Sequence, residues 1–586
     1  MIRLLRFLTR RQWGLMAVSV AAIAGQVWLN LRIPEYMAAI TQLVHTGQAE
    51  MTAILADGGW MLACAAGAML AAVAAGYLST YLASSFSRQL RAAVFAQVEQ
   101  FSMAEIDGFS TASLITRSTN DVTQIQNFMS RGLRMMISMP LTAGWALYKI
   151  STRYWQWTAL TGAAVAVMAG VIVFLMIYAH PRLRRRQAMT DELSRILREN
   201  LTGIRVIRAY DAEDYQQAKF DKANDVLTDS ETKAHRAMSL MRPAMKFVNN
   251  ITMVGIYCIG AYLIAGAASG QRLTIFSDMI VFSSYAAALI QSFLNLNMVF
   301  NQYPRAAVSA ERINKVLDAM PTIADGDDHV ERCPAGRLEF RHVSFSYQHG
   351  GQPVLQDVSF TAAPGQTVAF IGATGAGKTT LVNLIPRLYD VTAGQILLDG
   401  IDIRRYGQKQ LRDRLGYASQ KAVLFTGTVA FNVGYGDDGR PAAGPQDIDQ
   451  ALRVAQADGF VAAMDGGQQA LVYRGGTNLS GGQRQRLSIA RAVCRRPELY
   501  IFDDAFSALD YQTDRALRDD LRRQARGVTT IIVAQRIGTI RDADVIIVLD
   551  GGRVVGQGTH DQLLRGCELY RQIAQTQLSP EELANA

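Results

Sequence analysis

Eight residues, Gly372-Ala373-Thr374-Gly375-Ala376-Gly377-Lys378-Thr379, have the types and the spacing to hold a triphosphate. Glycines let backbone N–H groups curl around phosphate oxygens, and a helix N-terminus that follows adds its partial positive charge. Lys378 would reach the β- and γ-phosphates, and the Thr379 hydroxyl would sit on Mg²⁺. This G-x-x-x-x-G-K-[ST] pattern requires a strand before it and a helix after it. The apolar run Thr367–Ile371 reads as a buried strand, and Leu381–Ile385 as the first turns of a helix. A chance glycine-rich turn would lack that context. The stretch predicts a nucleoside triphosphate site.

The elements around this loop divide unequally. A chain of 586 residues exceeds one soluble domain. Charged residues make up only 19%, below the usual ~25%, and long apolar stretches crowd the first half. The formal net charge of +9 raises nucleic acid as a partner. However, the cations cluster beside apolar stretches, as in Met1–Arg6 and Arg182–Arg186, which is the positive-inside bias of a membrane protein. No RNA-binding aromatic signature or zinc spacing is present, so no nucleic-acid partner is expected. Cys64, Cys258, Cys333, Cys494 and Cys567 lack C-x-x-C pairing and read as buried small apolar residues in a reducing context.

Six stretches are apolar enough, and about long enough, to cross a bilayer: Gly14–Arg32, Leu55–Phe86, Met135–Ile150, Trp157–Tyr178, Phe247–Ala268 and Ile275–Phe300. The first continues through Trp28 and Leu31, which predicts an uncleaved helix over a secretory signal. The third is the weakest, interrupted by Pro140 and followed by Lys149 and Arg153. Basic flanks place both termini, and the stretches 87–134 and 181–242, in the cytoplasm of a multi-pass protein of the inner or plasma membrane. Those two connections are too long for plain loops. Leu193, Ile196, Leu197 and Leu201 recur at helical spacing, so the spanning helices are expected to continue into the cytoplasm. Gln26, Asn249, Asn250, Gln291, Asn295 and Asn297 lie within the spans, facing either a central cavity or neighbouring helices.

After a polar stretch around Pro321–Pro334, strand-like runs alternate with helical ones, which predicts an α/β domain with a largely parallel sheet. Leu499–Asp503 is a buried strand ending in a carboxylate, the acid expected on the Mg²⁺ side. Ser480 is a good helix N-cap, and Gly481 and Gly482 would let that helix end approach phosphate oxygens.

Several of these stretches together resemble the ABC exporters. Leu479-Ser480-Gly481-Gly482-Gln483 matches the family signature, Ser507-Ala508-Leu509-Asp510 the loop at the dimer interface, and Phe109–Val122 and Leu201–Tyr210 the two intracellular coupling turns. The resemblance covers essentially the whole chain. It implies an all-α six-helix transmembrane domain followed by an α/β P-loop ABC ATPase domain: residues 1–322 with two long cytoplasmic coupling extensions, a linker 323–336, the nucleotide-binding domain 337–578 and a tail 579–586. It also implies ATP and Mg²⁺ as ligands. Tyr347 would stack on adenine, unless it only packs in its strand. Gly372, Thr374, Gly375, Ala376, Gly377, Lys378, Thr379, Thr380 and Gln420 would line the nucleotide. Ser480, Gly481, Gly482, Gln483 and Asp510 would complete the partner subunit's site, and Thr379, Gln420 and Asp503 would face the metal.

Two positions depart from the family's pattern. Where the family usually has Glu to polarise the attacking water, this chain has Asp504, and where it usually has His, this chain has Gln535. Aspartate draws the carboxylate back by about 1 Å, and a misplacement of that size can cost ~10²-fold in rate. Glutamine donates a hydrogen bond but carries no proton or charge near pH 7. Both changes beside an intact signature resemble the weakly hydrolysing half of a heterodimeric exporter, whose partner keeps Glu and His. A homodimer with two slow sites is the alternative. The expected activity is ATP hydrolysis coupled to export of amphiphilic drugs, lipids or peptides across the bilayer. Import through the same fold, as for siderophores, is the competing direction.

Overall fold

The computed structural model of the protein describes residues 2–46, 51–151, 154–268, 271–326, 336–347, 351–437, 439–524 and 526–579. Most of the expected linker, most of the expected tail, and Cys333 lie outside these residues. The chain divides into two compact units, one of Met1–Val98 and Ala112–Asp318, the other of Glu99–Thr111 and Ala319–Ala586.

The first unit is helical. Its long helices are α1 (Arg10–Thr46), α2 (Met51–Glu99), α3 (Leu133–Ser151), α4 (Trp155–Thr202), α5 (Glu213–Ser239), α6 (Met241–Gly266) and α7 (Arg272–Leu317). The alanine-rich centre of α2 favours helix intrinsically, and an apolar medium obliges each backbone group to bond within its own segment. Among the described residues, five helices are long and apolar enough to cross a membrane: Arg10–Val44, Met51–Glu99, Trp155–Phe174, Pro243–Gly266 and Arg272–Phe293. The stretch Met135–Ile150, expected as a third span, is helical as part of α3, but that helix carries Arg134, Pro140 and Lys149 and is not among the five.

The expected helical extensions are continuous with the spans. Helix α4 runs 48 residues, about 72 Å at 1.5 Å per residue, against a hydrocarbon core of ~30 Å. Within it Ile196 is buried, while Leu197 and Leu201 of the same periodic set are exposed. The stretch Phe109–Val122, expected as the first coupling turn, begins at the end of a short helix, Met103–Phe109, capped by Ser102 and ended by Ser110 at φ +59. The stretch Leu201–Tyr210, expected as the second, contains the short helix Ile204–Ala209 after Gly203.

Helix α7 is the most enclosed span: 61% of its apolar window is buried, against 11% for α2. Trp157 of α4 is fully buried, donates its indole N–H to the Ile256 carbonyl of α6 at 3.1 Å, and packs its ring 5.0 Å from Phe282 of α7. The outward face of α2 shows Trp60, Leu62, Leu70 and Tyr77 exposed, an apolar surface of the kind lipid covers. The cysteine expectation needs correction. Cys64 and Cys567 are buried, but Cys258 of α6 is exposed and Cys494 half-buried. An apolar residue on a membrane helix can face lipid instead of protein, so apolarity does not imply burial there.

The second unit holds two main sheets. A four-stranded antiparallel sheet has β1 (Leu338–Phe345), β2 (Leu355–Ala362), β4 (Ala393–Leu398) and β5 (Ile401–Asp402) in the order β2-β1-β4-β5. A six-stranded sheet contains β3 (Thr367–Gly372), β6 (Leu415–Ala418), β9 (Leu499–Asp503), β10 (Thr529–Val533), β11 (Val545–Asp550) and β12 (Arg553–Gly558), ordered β12-β11-β3-β10-β9-β6, while β7 (Gly427–Thr428) and β8 (Leu471–Val472) pair only with each other. All its pairs are parallel except β11–β12. Every residue of β9 and β10 is buried, as expected for strands covered on both faces. Helices α8 (Lys378–Leu384), α9 (Pro445–Val454), α10 (Gly481–Cys494), α11 (Tyr511–Gln524), α12 (His560–Gly566) and α13 (Glu568–Gln577) complete the unit as far as it concerns the site.

Candidate functional site

Strand register assembles the site. Val533 pairs with both Phe370 and Asp503, and Ala418 pairs with Phe502. The carboxyl ends of β3, β10, β9 and β6 therefore lie side by side, in that order. That edge of a parallel sheet is where ligands bind, because the loops leaving it diverge and open a crevice. The four ends deliver the Gly372–Thr379 loop, Gln535, the pair Asp503–Asp504, and Gln420.

The loop's glycines serve different ends. A Cβ on Gly372 would collide with the Leu549 carbonyl oxygen of β11. Gly377 has φ +93, and a Cβ there would meet Leu355 Cδ2 at 2.8 Å and the Val354 carbonyl oxygen at 3.0 Å. Gly375 has φ +86 with nothing within 4 Å of its would-be Cβ, so its side of the loop is open. Lys378 is buried, and its ammonium donates to the Gly372 and Ala373 carbonyl oxygens, both at 2.8 Å. Burial pulls its pKa down, opposed by the nearby Asp504 and Asp503 carboxylates.

Thr379 donates its hydroxyl to Asp503 Oδ1 at 3.1 Å. Asp503 is almost wholly buried, and its pKa is pushed up to about 6, by desolvation first and by the neighbouring Asp504; the Thr379 bond and Lys378 pull the other way. Asp504 sits at φ +47, a left-handed conformation that aspartate tolerates better than most residues. Its Oδ2 accepts from Gln535 Nε2 at 3.0 Å and from Gln420 Nε2 at 3.3 Å. Desolvation raises its pKa too, partly offset by the Gln420 and Ser507 hydrogen bonds. Ser507 donates its hydroxyl to the Asp504 carbonyl at 2.9 Å, bracing the turn.

One ammonium thus faces two carboxylates in a buried corner, so the corner carries excess negative charge. Its oxygen donors suit a small hard divalent cation. Among the described residues no group of three or more His, Cys, Asp or Glu could hold a metal alone. An ion here needs phosphate oxygens as further ligands, as Mg²⁺ normally does in triphosphate sites. The residues fit Mg²⁺ with a triphosphate.

Tyr347 is half-buried, with its hydroxyl 3.1 Å from Thr380 Oγ1. Its ring stands edge-on to Tyr389, with centroids 5.2 Å apart. Thr374 and Ala376 lie in the loop, Ala376 buried. The structure does not join the signature to these residues by any hydrogen bond among those described. Ser480 caps α10 in a capping box: Gln483 N–H donates to Ser480 Oγ at 3.3 Å, and Ser480 N–H donates to Gln483 Oε1 at 2.9 Å. Ser480 and Gly481 are exposed, and Gly482 approaches the Ala508 carbonyl. Asp510 is exposed and accepts from the Thr513 N–H at 2.9 Å, which caps α11 and lowers its pKa.

Three participants went unpredicted. Gln577, the last residue of α13, donates to the Gln535 carbonyl and accepts from the Ile537 N–H, both at 2.8 Å, so the end of α13 grips the loop that carries Gln535. Gln485 donates to the Ser419 carbonyl at 3.2 Å, tying α10 to the turn before Gln420. Tyr389 donates to Asp107 Oδ2 at 2.8 Å, joining the Tyr347 aromatic cluster to the Met103–Phe109 helix. No local pattern announces any of these; each partner is distant in sequence.

A phosphate-loop α/β domain, with a self-capped Ser-Gly-Gly helix start and fused to long apolar helices, defines an ATP-binding membrane transporter. Residues 15–293 match the family description "ABC transporter transmembrane region", and residues 355–507 match "ABC transporter". An uncharacterised ABC transporter ATP-binding protein of Mycobacterium tuberculosis is 40% identical over 469 residues, 79% of each chain. An ATP-dependent lipid A-core flippase of Syntrophus aciditrophicus is 34% identical over 482 residues, 80% of this chain and 77% of that protein. The structure of a bacterial Atm1-family ABC exporter with ATP bound superposes with a TM-score of 0.80 at 25% identity, covering 97% of this chain and 99% of that one. The chain belongs to the ABC transporter family, with transmembrane and ATPase domains fused in one polypeptide.

Proposed function

We propose that this chain is one half of an ATP-driven exporter of amphiphilic or hydrophobic compounds, lipids foremost, with a slowly hydrolysing ATP site of its own. The exporter reading draws on the fold shared with the Atm1-family exporter, and the lipid reading on the flippase relatives. It includes α3 as a sixth span, so that both termini lie in the cytoplasm and the chain resides in the inner or plasma membrane.

Bound Mg²⁺–ATP supplies the phosphoanhydride whose cleavage drives the cycle. Lys378 exchanges the Gly372 and Ala373 carbonyls for phosphate oxygens, and the loop N–H groups orient the chain of phosphates. Thr379, Asp503 and Gln420 present oxygens toward the metal. Tyr347 offers a ring face to adenine. Ser480, Gly481, Gly482, Gln483 and Asp510 act across the dimer on the partner's nucleotide, which accounts for Ser480, Gly481 and Asp510 being exposed and Gly482 and Gln483 only half-buried.

The observation that carries the slow-site reading is the pair of glutamine amides on one oxygen of Asp504. Those amides stabilise the carboxylate as an acceptor and compete with any water that would use the same oxygen. Among the described residues no imidazole contacts it. A partner half with Glu and His intact would then supply most turnover, each domain closure moving the membrane helices between inward- and outward-facing.

The test is transport by inside-out and right-side-out vesicles containing the full chain, alone and with a second half-transporter that keeps Glu and His at the two positions. ATP-driven loading of a fluorescent lipid only into inside-out vesicles, with hydrolysis rising steeply when the partner is present, is the expected result. Uptake by right-side-out vesicles would mean import. Fast hydrolysis by this chain alone, abolished in Asp504→Asn, would remove the asymmetric reading.

A further inference from the structure

Two charged side chains on the membrane helices, Glu35 and Arg134, have contrasting surroundings. Glu35 of α1 is compensated on every side: Lys149 of α3 lies 2.7 Å from it, Arg32 lies 2.9 Å from it, and the Tyr285 hydroxyl of α7 donates to it at 2.9 Å. That cluster needs nothing further. Arg134 of α3 is different. Its Nη2 donates to Gln26 Oε1 of α1 at 3.3 Å, and no carboxylate of the described residues pairs with it.

Arg134 closes the stretch 87–134 expected in the cytoplasm, yet its neighbours lie within the apolar helices. Gln26 lies 16 residues beyond the start of α1 at Arg10, about 24 Å along the axis at 1.5 Å per residue. On the other side, a Cβ built on Gly76 of α2 would come 3.5 Å from Arg134 Nη1. Both residues fall inside spans long and apolar enough to cross a membrane. The guanidinium is half-buried, and none of its nitrogens is both sealed from solvent and without a partner. Most of its N–H donors therefore open onto accessible space.

A cation at that depth is costly unless something answers its charge. Two amide pairs in the spans are engaged elsewhere. Asn249 bonds to Asn250, and Gln291 to Asn295, each within its own helix. Gln26 is a neutral holder: it fixes the direction of the guanidinium without cancelling its charge. The planar fork that remains matches a phosphate or carboxylate in two-point contact.

We propose that Arg134, oriented by Gln26 between α1, α2 and α3, is a subsite for the anionic headgroup of the transported amphiphile, a lipid oxyanion whose tails lie against the surrounding apolar helices. This rests on the amphiphile-transport reading and narrows it to negatively charged cargo. Charge-assisted bonds of this kind contribute ~1.5–3 kcal/mol each, so one such contact separates anionic from zwitterionic headgroups by on the order of tenfold to a hundredfold.

The experiment measures binding of three lipid probes to the detergent-purified full chain: phosphatidylglycerol, phosphatidylcholine with the same acyl chains, and oleate. Wild type should bind phosphatidylglycerol at least about tenfold tighter than phosphatidylcholine, and Arg134→Gln should erase the difference. Gln26→Ala, a smaller change, should reduce it. Arg134→Lys should keep part of it, having charge without the fork. Tight oleate binding lost with Arg134 identifies a general oxyanion site, and weak oleate binding identifies a phosphate site. Arg11→Gln, at an exposed basic position, controls for surface attraction and should leave the preference intact. A wild type without headgroup preference, or an Arg134→Gln chain that keeps it, overturns the proposal. ATP-driven movement of an uncharged amphiphile in proteoliposomes is scored separately. Its absence counts against the exporter reading while the binding result stands on its own.

Discussion

Replacing Asp504 by Glu and Gln535 by His in one chain tests the slow site by gain of activity. In the structure Asp504 Oδ2 is already engaged, 3.0 Å from Gln535 Nε2 and 3.3 Å from Gln420 Nε2. One added methylene carries the carboxylate forward by about 1 Å, and a misplacement of about 1 Å costs ~10²-fold in rate. At about 1.36 kcal/mol per decade that is about 2.7 kcal/mol of transition-state stabilisation. The imidazole restores a group able to hold a proton near pH 7 and removes one competing amide. The double variant should therefore turn over about a hundredfold faster than wild type. Asp504→Glu alone should gain less, because Gln535 would still occupy the carboxylate. The assay is phosphate release by the purified full chain at saturating ATP, with Asp504→Asn alongside, and ATP binding measured for each variant. Asp504→Asn should change the slow wild-type rate little. The reasoning is refuted if wild type already works at an ordinary enzymatic rate of about 10 s⁻¹ and Asp504→Asn abolishes it. It is equally refuted if the double variant binds ATP normally yet stays at the wild-type rate.

Gln577→Ala removes two hydrogen bonds from the loop between β10 and the following helix, each contributing about 0.5–1.5 kcal/mol. Hydrogen exchange of the Ile537 amide should accelerate several-fold, with global stability nearly unchanged; an unaltered exchange rate would deny Gln577 its bracing role. Gly377→Ala combines a left-handed φ with a Cβ 2.8 Å from Leu355, whereas Gly375→Ala meets the left-handed φ alone. The first should destabilise the ATPase unit by on the order of 2–4 kcal/mol and the second by about 1 kcal/mol, read from thermal unfolding; equal effects would mean that the packing against Leu355 is not limiting. His560 is buried, with Nδ1 2.7 Å from the Tyr570 hydroxyl and Nε2 without a partner. Burial first, and Arg541 second, hold its pKa below the ordinary value, with Asp561 and Asp542 opposing. The unfolded chain takes up that proton below about pH 6.5 and the folded chain resists it, so stability is full above that pH and falls as pH drops toward the folded value. His560→Gln should flatten the dependence of the denaturation midpoint between about pH 6.5 and 5; an identical slope would exclude His560 as its source.

What could be read in advance follows the range of the interaction. The phosphate loop is local: glycine spacing, the strand before it and the helix after it all lie within one short stretch, so Lys378 and Thr379 could be placed by eye. Ser480 as an N-cap is equally local, and the structure has it. The convergence of Gln420 and Gln535 on one Asp504 oxygen is not local. Their partners lie 84 and 31 residues away, and only the β6-β9-β10 register brings them together. Periodicity has a related limit. It groups Leu193, Ile196, Leu197 and Leu201 on one helix but does not say what covers each, and among the described residues Ile196 is buried while Leu197 and Leu201 are exposed.

The site residues also divide by which subunit's nucleotide they would serve. The elements a subunit would lend to its neighbour, Ser480 to Gln483 and Asp510, are held by their own helix starts and would work whatever this chain's own pocket does. The elements a subunit keeps for itself, Asp504 and Gln535, depend on mutual contact, and both have changed. Glutamine at 535 reaches the short carboxylate at 3.0 Å, so the two altered residues fit one another. Reverting only one of them would leave a longer acid crowding an amide, or an imidazole facing an acid set too far back. On the proposed reading the partner performs most of the hydrolysis, so this mutually fitted pair costs the complex little turnover, whereas a homodimer would have only such slow sites to run on.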